Sequence, residues 1–353
     1  LSEVSCRARG ISPKQRCGRH SAMRGLNDFL AECDQGPRIN QLAGFFAATA
    51  AGKSGMPVRK PQADTRLLPS DELLRDLVRL HAARQGFFDQ HYHGSIPYRL
   101  EEECRMAYAV LTYARRRGSA LSLYSLGTAE GTMARTLSEF SDGQILSLSC
   151  SPNPENYKSF VAYGEPAHAE FFIGPFHWLT KDALGSDRRL TKFTQGFDVI
   201  LEDTTFQMYS PNRPKQIEFV TQHLKDGGIF VFVEKFRAAD ESDYQRREYQ
   251  KDYGFKARYF PPDEIVKKKT DVLGTMFNNE VTLAEMARSV GEHFRYCTMT
   301  WNSGNFCSLA ASNSKENLNL YASQMSTPAI PHEYVYEISL SDAATIAMTD
   351  NPT

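Results

Sequence analysis

The sequence predicts an α/β protein built on a doubly wound, mostly parallel seven-stranded sheet, with an antiparallel final strand and N-terminal helices. Three observations predict it. Short apolar runs alternate with helical segments from residue 119 onward, the pattern of strand–helix–strand units with right-handed crossovers. The first run ends in Gly127-Thr-Ala-Glu-Gly131, a glycine turn that opens a helix. Near the end, two strand-like runs flank a tight WNSG turn, which reads as a hairpin and so as antiparallel pairing.

The elements follow in order. Residues 1–65 are rich in Arg, Gly and Ser, as in SCRARGISPKQRCGRH, with only short apolar clusters at Phe29–Leu30 and Leu42–Phe46. They read as a poorly ordered extension with one or two short helices, and Met23 is a candidate start. Residues 66–118 read as a helical region or lid. Ser70 caps a helix carrying Leu73, Leu77 and Leu80, and Gly86 ends it. Cys104, Ala107, Tyr108 and Leu111 then fall on one helical face, with Arg115, Arg116 and Arg117 in the last turn and Gly118 after it.

Residues 119–312 read as the main domain. Strands are expected at Leu121–Leu126, Gln144–Leu148, Glu170–Ile173, Phe197–Leu201 and Ile229–Val233, and helices at Asn153–Tyr163 and Pro214–Leu224. A helical insert spans about 237–292, and His293–Thr300 and Asn305–Ala311 form the hairpin. In the tail, 313–353, HEYVYEISLS alternates like a strand without an evident partner.

Composition excludes several classes. The chain has 353 residues, 41% of them apolar, yet no run of eighteen apolar residues that would cross a membrane. No basic start followed by an apolar stretch reads as a secretory signal. Seven scattered cysteines suit reduced thiols and a cytoplasmic home better than a disulfide framework. A net charge of −1 gives no electrostatic case for duplex nucleic acid or an anionic membrane. The partners expected are a small-molecule substrate and, as an open alternative, a second copy of the chain.

Three motifs carry the chemistry. Glycines at 127 and 131 let the backbone take positive φ and let a ligand approach closely. Phe197-Asp-Val-Ile-Leu-Glu-Asp203-Thr-Thr-Phe-Gln-Met ends a strand in polar residues, at the edge where open α/β sheets bind ligands. Leu224-Lys-Asp-Gly-Gly228 precedes the fifth strand.

In this order and spacing the chain resembles the class I S-adenosylmethionine-dependent methyltransferases, whose fold is Rossmann-like. EKF (Glu234–Phe236), YQKDYGFKARYFPPDEIVKKK (Tyr249–Lys269), TWNSGNFCSLAASN (Thr300–Asn313) and TTFQM (Thr204–Met208) resemble the carboxy-S-adenosylmethionine synthase branch. The resemblance implies S-adenosyl-L-methionine, or a carboxylated derivative, as cofactor. It implies Gly127, Thr128 and Gly131 at the donor's amino-acid part, and Ser149, Asn153 and Phe176 at its nucleoside. Asp203, Thr204 and Gln207 would line the donor–acceptor junction, with Lys269, Tyr209 and Glu234 at the substrate.

The chain departs from that pattern at three places. Ser149 stands where an acid usually grips the ribose, and Gly174-Pro175-Phe176 where an acid usually meets the adenine, so that Phe176 is left to stack on the purine. Lys269 replaces an arginine, keeping the charge and losing the bidentate fork. Two missing charge-assisted hydrogen bonds, at roughly 1.5–3 kcal/mol each, lower donor affinity by about two to three powers of ten unless backbone groups or Asn153 compensate.

Other features have plainer readings. His91-Tyr-His93 lacks acidic or thiol residues at ligand spacing, and Cys6, Cys17 and His20 lack finger spacing, so no metal site is expected. Phe87-Phe88-Asp89 and Ile96-Pro97-Tyr98 either close over the donor or simply pack. Lys267–Lys269 is a solvated face or a substrate contact, and Glu234-Lys235 an ion pair or a substrate contact. Three functions remain: methyl transfer to a small-molecule acceptor, formation or use of a carboxylated donor, and a non-catalytic binding module on the same fold. No catalytic residue is singled out, because displacement at a sulfonium carbon needs mainly alignment.

Overall fold

The computed structural model describes residues 25–328 and 330–340. Helices α1 (25–34), α2 (Ala43–Ala50), α3 (Glu72–Arg84), α4 (Phe87–His93) and α5 (Arg99–Arg117) precede the sheet. Then follow β1 (Leu121–Leu126), α6 (Thr132–Phe140), β2 (Ile145–Ser151), α7 (Pro154–Phe160), β3 (Ala169–Ile173), α8 (Lys181–Ser186), β4 (Phe197–Asp203), α9 (Arg213–Thr221) and β5 (Leu224–Lys235). The insert holds α10 (Glu241–Tyr249), α11 (Pro262–Lys268), α12 (Gly274–Phe277) and α13 (Leu283–Gly291). The hairpin strands β6 (Tyr296–Ser303) and β7 (Phe306–Ser312) and helix α14 (Lys315–Ala322) complete the order.

The seven strands lie in the order β3-β2-β1-β4-β5-β7-β6. The neighbours among β1 to β5 pair parallel, and β7 runs antiparallel to both β5 and β6. This is the class I methyltransferase arrangement. The direction of winding reverses between β1 and β4, so their carboxyl ends open the crevice where such sheets take ligands.

Period-two alternation builds a core on each face. Leu121, Leu123, Val199, Leu201, Val231 and Val233 face α5, α6 and α14, while Tyr124, Leu126, Ile200, Phe230 and Phe232 face the other side. Each such side chain contributes about 1.5–3 kcal/mol on burial. At the foot of the sheet Asp198 ties β1 to β4. It accepts from Ser122 N at 2.9 Å and pairs with Lys225 at 2.7 Å and Arg117 at 3.1 Å.

Local signals decide the helix ends. Gly118 takes φ 67° as the left-handed C-cap of α5, as its sequence position implies. The cap of α3 is Asp71, whose carboxylate accepts from Leu74 N, in place of the expected Ser70. The strand-like alternation of HEYVYEISLS gives no strand over 332–340. The N–H groups of Tyr336 and Glu337 donate instead to Asn302 Oδ1, and Gly304 N donates to the Tyr334 carbonyl at 2.7 Å, so the segment lies against the hairpin. Residues 25–65, part of the stretch expected to carry one or two short helices, hold α1 and α2. Phe29 and Cys33 of α1 belong to the main core.

Candidate functional site

The glycine turn after β1 forms the floor of the crevice. Gly127 sits at φ 66°, and a Cβ there would meet Thr205 Oγ1 at 1.8 Å. Gly131 sits at φ 67°, and a Cβ there would meet Ser149 Oγ at 2.3 Å. Only glycine fits either place. On the facing side Thr204 also takes positive φ (51°), which turns the chain out of β4 directly after Asp203.

A cavity of about 100 Å³ lies over this floor. Gly127, Thr128, Ala129, Asp203, Thr204 and Gln207 line its base, and Phe45, Phe46 and Phe88 of α2 and α4 its roof. The insert closes the far end with Lys251, Lys256 and Lys268 and the apolar Val272 and Met276.

The residues expected at the site divide into two sets. Gly127, Thr128, Asp203, Thr204 and Gln207 come together on the cavity wall. Gly131 and Ser149 lie packed against one another beneath it, and Ser149 Oγ finds no hydrogen-bond partner among the described residues. Asn153 caps α7 through Glu155 N (3.1 Å), and its Nδ2 donates to the Phe46 carbonyl at 3.1 Å, so α2 covers the end of β2. Phe176 is buried in the core, its ring 5.5 Å from Phe206 and 5.2 Å from Tyr209. Tyr209 is buried beside it.

Glu234 is an internal partner: its carboxylate takes Arg213 Nη2 at 2.8 Å with both side chains inaccessible. Lys235 is held at 3.0 Å by both Glu248 and Glu280. Lys269 is exposed, and Lys268 is the lysine of that run that reaches the cavity. The inward stripe of the insert is Ile265, Lys268, Val272 and Met276, a helical spacing that leaves Lys269 outside.

Buried charge surrounds the cavity. Arg99 Nη2 lies 2.5 Å from Asp203 Oδ2, and the Tyr92 hydroxyl donates to Asp203 Oδ1 at 2.5 Å. Glu103 lies behind them, with His81 at 2.7 Å, His93 at 3.1 Å and Arg99 at 3.3 Å. Burial opposes its ionisation, but His93 and Arg99 hold it well below the usual carboxylate range. Asp89 is the opposite case: burial, then the neighbouring Glu130 and Glu103, push its acid form well up. Glu130 accepts from Phe88 N (3.1 Å) and Asp89 N (3.0 Å) and so fastens the start of α4 to the glycine turn. In the insert, burial and the nearby Lys251 bring Lys256 down to about 8.

The donor set suits the amino-acid end of S-adenosylmethionine. Asp89 Oδ2 and Gln207 Oε1 are buried acceptors on the cavity wall without partners among the described residues, and an ammonium group supplies donors. The aromatic roof suits a purine.

No protein-family model and no curated protein matches the chain. Among solved structures it is similar to the plantazolicin methyltransferase BpumL in complex with a monoazolic desmethylPZN analog and SAH. That match has 12% identity, covers 69% of this chain and 98% of that one, and has a TM-score of 0.44. It is also similar to an O-methyltransferase from Bacillus cereus in complex with SAH, with 14% identity, coverage of 70% and 93%, and a TM-score of 0.36. A probable spermidine synthase from Corynebacterium glutamicum ATCC 13032 matches at 15% identity, with coverage of 69% and 77% and a TM-score of 0.39. Likenesses this remote carry no argument about chemistry, and the fold rests on the strand order itself.

Sequence reasoning passed over Arg99, Glu103, Glu130, Lys251 and Lys256. Each is an ordinary charged residue on a helix or turn, and only its burial marks it out. The one local signal is the short run Asp89-x-His91-Tyr92, three polar groups within one helical turn directly after Gly86.

Proposed function

We propose that this chain is an S-adenosylmethionine-dependent methyltransferase that acts on a small-molecule acceptor. One observation carries the reading: the glycine turn of β1 and the unpaired acceptors of Asp89 and Gln207 converge on one cavity at the β1–β4 switch point. Gly127 and Thr128 offer close backbone approach to the donor's amino-acid part, and Asp89 offers a carboxyl group to its ammonium. Phe45, Phe46 and Phe88 would hold the nucleoside, in place of the acids missing at 149 and 175. S-adenosylmethionine supplies an electrophilic methyl group on a sulfonium. The chain's own work is alignment and exclusion of water, and Asp203, fixed by Arg99 and Tyr92, gives that end of the site a rigid polar wall.

Calorimetry on the full chain tests this. Binding of S-adenosylmethionine is expected, weakened at least tenfold by Asp89→Asn, which keeps the shape but cannot ionise against the donor's ammonium. No heat up to millimolar donor sinks the reading.

A second reading has its own support. Lys251 (2.7 Å from Glu248) and Lys256 (3.6 Å from Asp252) line the insert end of the cavity, and a donor or acceptor bearing a carboxylate, as in the carboxy-S-adenosylmethionine branch, would compete for these paired lysines. Mass spectrometry of small molecules released from the purified protein separates the two, because a carboxylated donor carries the extra carboxyl mass.

A further inference from the structure

Lys268 has no role in the methyl-transfer reading, yet its position is unusual. Its Nζ stands on the cavity wall, 2.6 Å from His91 Nε2 and 2.8 Å from Ser95 Oγ. Among the described residues no carboxylate lies within ion-pair distance of it. The Ser95 hydroxyl donates to the His91 carbonyl at 2.6 Å, so Ser95 Oγ can only accept from the amine. A neutral amine satisfies these two neighbours with its two N–H bonds and keeps a lone pair. An ammonium in the same place has a third N–H with no protein partner. The uncharged form therefore fits the site better, and the surroundings agree. Burial, then Lys256 and Lys251, depress the amine well below the usual lysine range, against a smaller opposing pull from Asp252. His91 is also held neutral, chiefly by burial.

We propose that Lys268 is a nucleophilic amine that captures small aldehydes or ketones in this cavity as an imine, with His91 as the proton carrier. A desolvated lysine beside other cations is the usual setting for such chemistry. The Nζ lone pair forms a bond to the carbonyl carbon while the C=O π pair moves to oxygen. His91 Nε2 takes a proton from the new C–N–H group and delivers it to that oxygen, giving a carbinolamine. A second transfer through His91 protonates the hydroxyl, which leaves as water while the nitrogen lone pair forms C=N. One water is released per adduct and nothing is oxidised or reduced. Size sets the substrate class: a cavity near 100 Å³ holds about four non-hydrogen atoms, given that one of 150 Å³ takes benzene.

Trapping tests this without any methyl donor, so its outcome is independent of the methyltransferase reading. The full chain is incubated with sub-millimolar glycolaldehyde and cyanoborohydride at pH 7, then weighed intact and mapped by peptide. Lys267 and Lys269, both exposed, are internal controls on either side. The expected result is a first adduct on Lys268, at least tenfold ahead of either neighbour. The lead should widen at pH 6, where exposed lysines lose their free amine. Lys268→Met removes that adduct and leaves labelling of Lys267 and Lys269 unchanged, and His91→Asn slows it at least tenfold with the melting transition retained. Labelling that begins on Lys267 or Lys269, or spares Lys268 in the native chain, overturns the proposal. The wild-type map decides the matter even if a variant fails to fold.

Discussion

Arg99 and Asp203 meet beneath the cavity in an ion pair closed to solvent, Nη2 to Oδ2 at 2.5 Å, and this contact joins the first long helix to the end of β4. Burial disfavours the Arg99 charge, but Asp203, Glu103 and Tyr92 together hold the guanidinium protonated. On Asp203, burial and the nearby Glu103 outweigh the pull of Arg99 and leave its carboxyl above the ordinary range. Such a pair contributes little net stability when whole but is costly to break. Arg99→Met removes the cation from Asp203, leaves Glu103 to His81 and His93 alone, and is expected to cost about 3–5 kcal/mol. Urea denaturation at pH 7 measures it, and Asp203→Asn, which keeps a hydrogen-bonding partner, should cost less. A loss under about 1 kcal/mol for Arg99→Met contradicts the assignment.

His223 gives stability a pH dependence. Burial pushes its imidazole down to about 4, against a hydrogen bond it donates to the Leu179 backbone, which works the other way. Below about pH 6.5 the unfolded chain takes up a proton that the folded chain refuses until about pH 4. The contribution is therefore complete above pH 6.5 and is lost as the pH falls through that window, about 2–3 kcal/mol by pH 4.5. Urea midpoints at pH 7 and 4.5 should show the drop for the wild type and a smaller one for His223→Gln.

Asp89 acts with the opposite sign. Its raised folded-state pKa means that stability is greatest below the ordinary aspartate range and falls as the pH rises through the folded value. Asp89→Asn removes that fall. The variant should gain on the wild type in a melting comparison at pH 8 relative to pH 5, while losing donor affinity. The same substitution thus separates stability from binding.

The second glycine is held by two constraints of different kinds. Gly131→Ala brings a Cβ to within 2.3 Å of Ser149 Oγ and strains the φ of 67°. The expected cost is about 2 kcal/mol or more, from the clash and the backbone together. Adding Ser149→Gly removes the clash and leaves the strain, so a double variant should recover part of the loss. Full recovery, or none, would contradict this division.

The roof should loosen by a single substitution. Asn153→Ala removes the α7 cap, worth about 1 kcal/mol, and the bond to the Phe46 carbonyl. Amide exchange over 43–50 is then expected to rise more than over β1 or β4. Equal protection in both chains would detach Asn153 from the roof.

Much of the fold was legible in the sequence, because strand alternation and glycine punctuation are local signals. Leu121–Leu126 matched β1 residue for residue, and Gly118 and Gly127 took the positive φ their positions demanded. The site was legible only along the backbone, at Gly127, Thr128 and the Asp203–Gln207 turn. The side chains around it were not. Phe176 reads as a stacking residue by position, yet it packs among Phe206, Tyr209 and Phe219. In the same way Lys268 and Lys269 are indistinguishable until Ile265, Val272 and Met276 set the inward stripe.

By itself, then, the sequence determined the alternation of strands and helices, the closing hairpin and the glycine turn, since these depend on spacings within a few residues of one another. The tertiary structure alone decided what covers the turn, which lysine enters the cavity and which acids keep their charge. Those outcomes depend on burial and on partners far away in sequence. Asp203 lies 104 residues from Arg99, and Lys268 lies 177 residues from His91.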